Sequence, residues 1–586
     1  MMRTHTCGQL RQEHAGQTVT LCGWVHRRRD HGGLVFVDLR DRYGMTQVVF
    51  NPEKREMFAS AEKIRPEWVL QLTGIVRKRI AGAERADNPT GMIELDVSEV
   101  NVLNEAKTPP FEIDMEKDVH EDLRLEYRYL DLRRERMQRN IIMRHRMLQW
   151  IRNYFYARDF MEIETPILIK GTPEGSREYL VPSRIYPGTF YVLPQSPQQL
   201  KQLSMVAGFD RYMQIARCFR DEDQRGDRQP EFTQVDVEMS FVTAEDVMQF
   251  TEEAFIGLTK EMRPDLKILS TPFPRLTFTD AMNTYGSDKP DIRYKLEFTD
   301  VSELCKGSGF GIFAKAVESG GVVKCMRVPG GAVMTRKEID ELTEVAKIYK
   351  AKGLAWIKMA GGAFEGVPVE KLGADVTKKI ADAAGMQDGD ILLFTADTWS
   401  TACTALGAVR IDVARRQKLA DPKVFAYLWV TDFPMFEKDE ESGDIAAVHH
   451  PFTRPTDASK ATLKDDPLNA KAVAYDIVLN GSEVGGGSVR IHEPDLQATI
   501  FDLLRISKED AERRFGHILK AFSFGAPPHG GIAWGFDRIV MMFCEEPNIR
   551  EVIAYPKDQR AKDLMLGSPS IAEKKQLDEL KIKIVE

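Results

Sequence analysis

From about Gly8 to Leu103 apolar and polar positions alternate in short runs broken by glycine: Val19 to Val25, Leu34 to Leu39, Gln47 to Phe50 and Trp68 to Val76. Alternation with frequent breaks predicts a small all-β barrel. Lys107 to Phe111 carries Pro109 and Pro110, which stop regular structure and mark a linker. Past it the period changes. Over Arg136 to Arg158, Met137, Ile141, Leu148, Ile151 and Phe155 fall on one narrow helical face, leaving an Arg-rich opposite face to solvent. Mixed strand and helix signals continue to about Phe278 and resume from about Val424 to Tyr555. Between them, roughly Pro290 to Asp421, glycine-rich β text is followed by helices. Thr335 and Glu338 form a capping box there, ahead of Ile339, Leu342, Val345 and Tyr349, with a stop signal at Gly353. This stretch reads as an inserted domain. The resulting division is a barrel over 1–106, a hinge over 107–135, a main α+β domain in two parts (136–289 and 422–560), an insert over 290–421 and a charged, partly helical extension over 561–586.

At 586 residues the chain exceeds one core, and roughly three to five domains are expected. With 43% hydrophobic residues, no segment approaches the ~20 apolar residues of a membrane span. Met1 to Leu10 is polar, with Gly8 where a signal peptide needs an apolar core, which predicts a cytoplasmic protein. The seven cysteines are scattered and never spaced as a metal-binding pair, so buried reduced thiols are expected. A net charge of −8 argues against a generally basic nucleic-acid coat and leaves room for local basic patches.

Candidate chemistry gathers in three segments. In Tyr212 to Glu222, Gln214, Ala216, Cys218 and Arg220 share one strand face; on the returning strand Phe232, Gln234, Asp236 and Glu238 share another, backed by Val235 and Val237. An arginine, an aromatic ring and carboxylates on one wall suit a nucleotide and an amine, although a solvated sheet face remains open. In the second segment Asn480-Gly481 signals a two-residue turn pairing Leu479 with Ser482 and Val478 with Glu483. Asp476 and Glu483 then share a face, either as Mg²⁺ ligands or as surface acids. Gly485, Gly486 and Gly487 follow, suggesting close approach of a ligand or another backbone, and Ser488 and Arg490 continue the polar wall. The third segment, Gly530 to Met542, runs through Gly535 into a helix whose first turn carries Arg538, where free amides favour anions.

In order, these segments resemble the three signature motifs of class II aminoacyl-tRNA synthetases. Arg158-Asp159-Phe160 leading to Thr165-Pro166-Ile167-Leu168 looks like motif 1, Phe219-Arg220-Asp221-Glu222 with Phe232 like motif 2, and Gly535-Phe536-Asp537-Arg538 like motif 3. The resemblance implies an antiparallel catalytic sheet with an inserted α+β domain, an N-terminal OB-fold, and a homodimer. It implies ATP as substrate. Arg220 would grip the α-phosphate, Glu222 and Phe232 the adenine, and Arg538 the γ-phosphate, with Asp221, Gln229, Glu483, Gly535, Phe536 and Asp537 in the same site. Asp476 and Glu483 match the family's Mg²⁺ ligands, and Arg220 and Arg538 would be the catalytic pair.

The nearest resemblance is to bacterial-type aspartyl-tRNA synthetases, whose insert corresponds to 290–421. It implies L-aspartate bound by Glu174, Ser196, Gln198, Gln199, Leu200, Lys201, Arg220, Asp236, His449 and Arg490. Lys201 and Arg490 as two cations suit a side-chain carboxylate and disfavour lysine; asparagine would leave buried cations without an anion. His449-His450-Pro451 taken alone reads equally as a polar loop. In the barrel, Val35, Val37 and Leu39 point inward and leave Phe36 outward as a base-stacking platform, with Arg27, Arg29 and Gln47 near it in sequence. Aspartate and asparagine anticodons differ at the third base, C versus U. His31 and Gly82 resemble the positions found in family members that load both tRNA(Asp) and tRNA(Asn), the latter for a tRNA-dependent amidotransferase. A form charging tRNA(Asp) alone, an asparagine-forming ligase on the same fold and a noncatalytic RNA-binding paralogue are the alternatives. The last two should lack the barrel and the motif arginines respectively, and both features are present.

Overall fold

The computed structural model describes residues 1–113, 119–171, 176–439 and 443–585. Contacts divide the chain into two compact units, 1–142 with 553–558 and 562–570, and 143–552 with 559–561 and 571–586.

The first unit holds a closed five-stranded barrel of β1 (Thr18–His31), β2 (Leu34–Asp41), β3 (Gly44–Phe50), β4 (Val69–Lys78) and β5 (Ile93–Asn104), in the order β1-β2-β3-β5-β4. Alternation fills it: Val19, Leu21, Val35, Val37, Leu39, Leu70 and Leu72 all point into one core. The unit is not all-β, because helix α1 (Arg55–Lys63) joins β3 to β4 and adds Ala61, Met57 and Phe58 to that core. A short polar run between strand blocks had concealed it.

The second unit is built on an eight-stranded sheet. Its strands are β6 (Met161–Glu162), β7 (Arg211–Phe219), β8 (Glu231–Ser240), β9 (Arg275–Thr277), β10 (Tyr427–Thr431), β11 (Ala474–Leu479), β12 (Ser482–Val489) and β13 (His529–Gly535). The order is β9-β10-β11-β12-β13-β8-β7-β6, antiparallel except for the parallel outer pairs β9–β10 and β6–β7. Helix α2 (Glu135–Tyr156) buries Met137, Met147, Ile151 and Phe155; Ile141 and Leu148 are only half-buried, so the buried face is rotated from the expected one. Its arginines are not simply solvated, since Arg144 reaches Asp537.

Within 290–421 a five-stranded sheet (298–300, 322–328, 355–360, 363–365, 391–397) carries helices on its faces. The Thr335–Glu338 capping box forms as read from sequence. That helix ends at Ile348 rather than near Gly353, because Lys350 turns into the left-handed region at φ 67°. Of the seven cysteines, Cys7, Cys218, Cys305, Cys325 and Cys403 are buried, while Cys22 and Cys544 are half-buried. Among the described residues no helix is long and apolar enough to cross a membrane.

Candidate active site

Strand pairing assembles one wall. Phe232 pairs with Cys218, Gln234 with Ala216 and Asp236 with Gln214, while on its other edge β8 pairs Gln234 with Gly535 and Asp236 with Ala533. Val235 and Val237 point into the core behind. A cleft of about 240 Å³ lies over this wall, lined by Arg220, Glu222, Gln229, Phe232, Glu483, Gly535, Asp537 and Arg538, and also by Gln224, Asp227, Arg228 and Gln234. The Arg220 guanidinium stands 5.1 Å from the centre of the Phe232 ring. Arg538, in the first turn of helix α3 (Phe536–Phe543), donates to the Glu483 carbonyl and, at 3.0 Å, to Asp227. Glu222 accepts from Ser176 at 2.7 Å and from Arg228 at 2.8 Å.

Asp221 and Phe536 do not line the cleft. Asp221 follows Arg220 by one residue and is exposed, its backbone exchanging hydrogen bonds with Arg177; Phe536 lies on the buried face of α3. Asp537 reaches the cleft edge, but its carboxylate is taken by Arg144 and the Thr233 amide.

The hairpin forms with its expected register at the turn, Asn480 and Gly481 both at positive φ (50° and 84°) as a two-residue turn of this type requires. Beyond Val478↔Glu483 the register slips, so that Ile477 faces Gly485 and Asp476 faces Gly486, with Val484 the extra residue of a bulge. A Cβ on Gly486 would stand 2.7 Å from Asp476 Oδ1 and 3.7 Å from Glu483 Oε1, so both carboxylates converge where the glycine leaves space. At Gly486 the room is taken by Asp476, whereas at Gly485 and Gly487 the neighbouring backbone comes close, the Ala533 carbonyl at 3.1 Å from a Cβ on Gly485 and the Gly531 carbonyl, with Tyr475, beside Gly487, as the glycine run implied. Burial, Glu483 and Asp288 together push the Asp476 carboxyl well above its ordinary range, the condition a divalent cation would relieve.

At the far end of the wall four charges meet in the interior. Lys201, on helix 198–206, sits 3.0 Å from Asp236 Oδ1 and 3.4 Å from Glu238 Oε2; Arg490 holds Glu238 through Nε (2.9 Å) and Nη2 (3.1 Å). The two cations are therefore matched by two of the protein's own carboxylates, and an asparagine substrate would not strand them, which corrects the sequence argument. Burial raises Asp236, against Lys201; for Glu238 the same burial is outweighed by Arg490 and Lys201, which hold it below the usual range. Arg490 also donates to Ser488 Oγ (2.6 Å) and His450 Nε2 (2.9 Å), and burial with Arg490 alongside keeps that imidazole neutral.

Several buried polar atoms here have no protein partner: Arg220 Nε, Asp236 Oδ2, His449 Nδ1, Arg538 Nε and both amide atoms of Gln199. Each such atom leaves a hydrogen bond that water or a ligand can complete. His449 packs edge-on against Phe433. Ser196 Oγ accepts from the Gln198 amide, Gln198 bonds Gln202, and Leu200 is half-buried. Glu174 lies outside the described residues. Glu238, His450, Ser176, Asp227 and Arg144 were missed as site residues. Glu238 stood on the wall by alternation, but its partner Arg490 is 252 positions away.

On the barrel, Arg29 grips Asp38 at 2.8 Å and touches Gln47 at 3.3 Å, and Gln47 donates to Glu94 at 3.0 Å. Phe36 is half-buried rather than fully exposed, because its cross-strand neighbours Arg29 and Val49 flank it. Arg27 is exposed. His31 is exposed beside the Gly32-Gly33 turn, and Gly82 adopts φ 90°, a left-handed backbone that favours glycine.

One unit thus carries a largely antiparallel sheet with a cleft lined by Arg220, Arg228 and Arg538, and the other a closed five-stranded barrel. Residues 120–559 match the family model for class II tRNA synthetases (D, K and N), and residues 19–103 that for the OB-fold nucleic acid binding domain. The chain belongs to the class II tRNA synthetase family. It is 52% identical over 582 residues to the aspartate–tRNA(Asp/Asn) ligase of Rubrobacter xylanophilus, covering 99% of this chain and 97% of the relative. It is 50% identical to that of Desulfatibacillum aliphaticivorans, covering 100% and 98%. Among solved structures, asparaginyl-tRNA synthetase from Pyrococcus horikoshii complexed with asparaginyl-adenylate superposes with a TM-score of 0.59 at 18% identity, over 95% of this chain and 98% of that one. A putative aspartyl-tRNA synthetase from Leishmania major gives 0.57 at 19%, over 95% and 94%. At those identities the structures speak for the fold alone.

Proposed function

We propose that the protein is an aspartate–tRNA ligase that activates L-aspartate with ATP and transfers it to tRNA(Asp) and tRNA(Asn). The observation carrying this reading is the continuous wall from Arg220 and Phe232 to Lys201, Asp236, Glu238 and Arg490, with orphaned polar atoms along it. Phe232 stacks the adenine with Glu222 beside it, Arg220 neutralises the α-phosphate and Arg538 the γ-phosphate. Aspartate lies at the other end, its ammonium at Asp236 Oδ2 and its side-chain carboxylate toward Arg490 and Lys201. Its α-carboxylate attacks the α-phosphorus in line and pyrophosphate leaves, so rate comes from positioning and charge stabilisation rather than from a protein nucleophile. Asp476 and Glu483 would hold Mg²⁺, which would supply neutralisation of phosphate charge. The barrel reads the anticodon.

The same reading makes the protein a cytoplasmic homodimer, and it implies a tRNA-dependent amidotransferase acting on the misloaded tRNA(Asn). Tyr156, Met161, Ile167 and Leu168, exposed apolar side chains in and beside motif 1, fit self-association.

Pyrophosphate exchange with aspartate, asparagine or lysine, followed by charging of tRNAs carrying C- or U-ending anticodons, tests the proposal. Exchange with aspartate alone and charging of both tRNAs are expected. Absence of aspartate-dependent exchange overturns the activity; strict preference for the C-ending anticodon overturns the dual tRNA specificity.

A further inference from the structure

Arg144 lies outside the cleft lining, on the long helix α2, yet it binds both strand β8, which carries Phe232, and the first turn of helix α3, which carries Arg538. Its Nη1 donates to Asp537 Oδ1 at 2.5 Å and its Nη2 to Thr233 Oγ1 at 3.2 Å, while the guanidinium stands 4.8 Å from the centre of the Phe536 ring. The other Asp537 oxygen accepts the Thr233 amide at 2.8 Å. The β8–β13 ladder ends at Gln234↔Gly535, so beyond it the Asp537 carboxylate takes the place of a sheet carbonyl for Thr233. Thr233 directly follows Phe232, and Asp537 directly precedes Arg538. The Arg144–Asp537 ion pair, with side chains 16% and 4% exposed, thus adds to the Thr233–Asp537 bond in tying the strand of Phe232 to the helix of Arg538, while Arg217 also reaches Thr233 Oγ1 at 3.2 Å.

We infer that Arg144 is a positioning residue for ATP, fixing Phe232 relative to Arg538 through Asp537 and Thr233. This rests on the activation reading above. A buried carboxylate that loses its partner is costly, and Asp537 relieves that cost by moving toward water, carrying the first turn of α3 with it. Phe232 and Arg538 then no longer match one nucleotide, whereas the Lys201–Asp236–Glu238–Arg490 cluster belongs to different contacts. ATP binding suffers selectively.

The test is steady-state pyrophosphate exchange by the full-length protein, wild type against Arg144→Met and Arg144→Lys, with thermal unfolding in parallel. Wild-type exchange with aspartate establishes the activation reading on its own. For Arg144→Met a tenfold or greater rise in KM for ATP is expected, with KM for aspartate within twofold of wild type. Arg144→Lys keeps a charge against Asp537 without the second arm to Thr233 and should give an intermediate rise with near-native unfolding. It decides the matter if Arg144→Met does not fold. An unchanged KM for ATP in a folded variant, or an equal rise in both KM values, overturns the inference.

Discussion

Arg490 and Glu238 face each other through two hydrogen bonds of 2.9 and 3.1 Å, with side chains 3% and 0% exposed. Breaking such a pair leaves a buried charge, a loss of about 3–5 kcal/mol. Glu238→Ala should therefore lower the free energy of unfolding read from denaturant melts by that amount, with a matching fall in the midpoint, and Glu238→Gln, which keeps an acceptor, by less. A midpoint equal to wild type would mean that Ser488 and His450 suffice to hold Arg490.

Arg538 joins α3, the Glu483 carbonyl and Asp227. Removing one preorganised charge-stabilising donor typically costs ~10²–10³-fold in rate. Arg538→Ala should lower kcat/KM for ATP in pyrophosphate exchange by about that factor. A fall of less than roughly tenfold would place the γ-phosphate elsewhere.

Gly486→Ala tests the acidic pair. The new methyl would stand 2.7 Å from Asp476 Oδ1, and backbone pairing on both edges of β12 prevents retreat, so the carboxylate must move. The Mg²⁺ concentration giving half-maximal exchange should rise several-fold, with saturation at high Mg²⁺ restoring part of the rate. An unaltered Mg²⁺ titration would remove Asp476 from the ion's coordination.

The wall was legible because alternation needs no tertiary knowledge: Phe232, Gln234, Asp236 and Glu238 share a face by counting alone. Asn480-Gly481 was legible because few sequences tolerate two consecutive positive φ values. The Val484 bulge was not, since an extra residue leaves no mark in a glycine run that already breaks alternation. Nor was the neutrality of the Lys201–Arg490 cluster, because which acid meets which base depends on strands far apart in the chain. The Arg-rich face of α2 read as solvated for the same reason: the partner of Arg144 is 393 positions away.

Phe36 lies half-buried between Arg29 and Val49, leaving part of its ring open. Stacking on such a ring is worth ~1–3 kcal/mol per base. Phe36→Ala should raise KM for tRNA by roughly five- to a hundredfold, and should depress aminoacylation far more than pyrophosphate exchange. Equal depression of both would mean that the barrel does not read the tRNA on that face.

His449, His450, His517 and His529 are all held below the ordinary 6.5, burial being the first cause in each, and His450 is lowered furthest, with Arg490, His449 and Lys201 adding to the effect. In the unfolded chain these rings take up protons as pH falls through about 6.5, while the folded chain still excludes them. Stability is therefore full above that value and falls as pH drops below it, toward the depressed folded values. Glu238, also held below its ordinary value, adds a loss only under about pH 4.5. Urea unfolding between about pH 7.5 and 5.5 should show a decline of up to ~1.4 kcal/mol per pH unit for each proton involved. His450→Gln should reduce that slope by up to one proton's share. A wild-type stability that stays flat across the window, or a slope unchanged in the variant, would mean that the His450 ring takes up its proton without leaving the Arg490 contact.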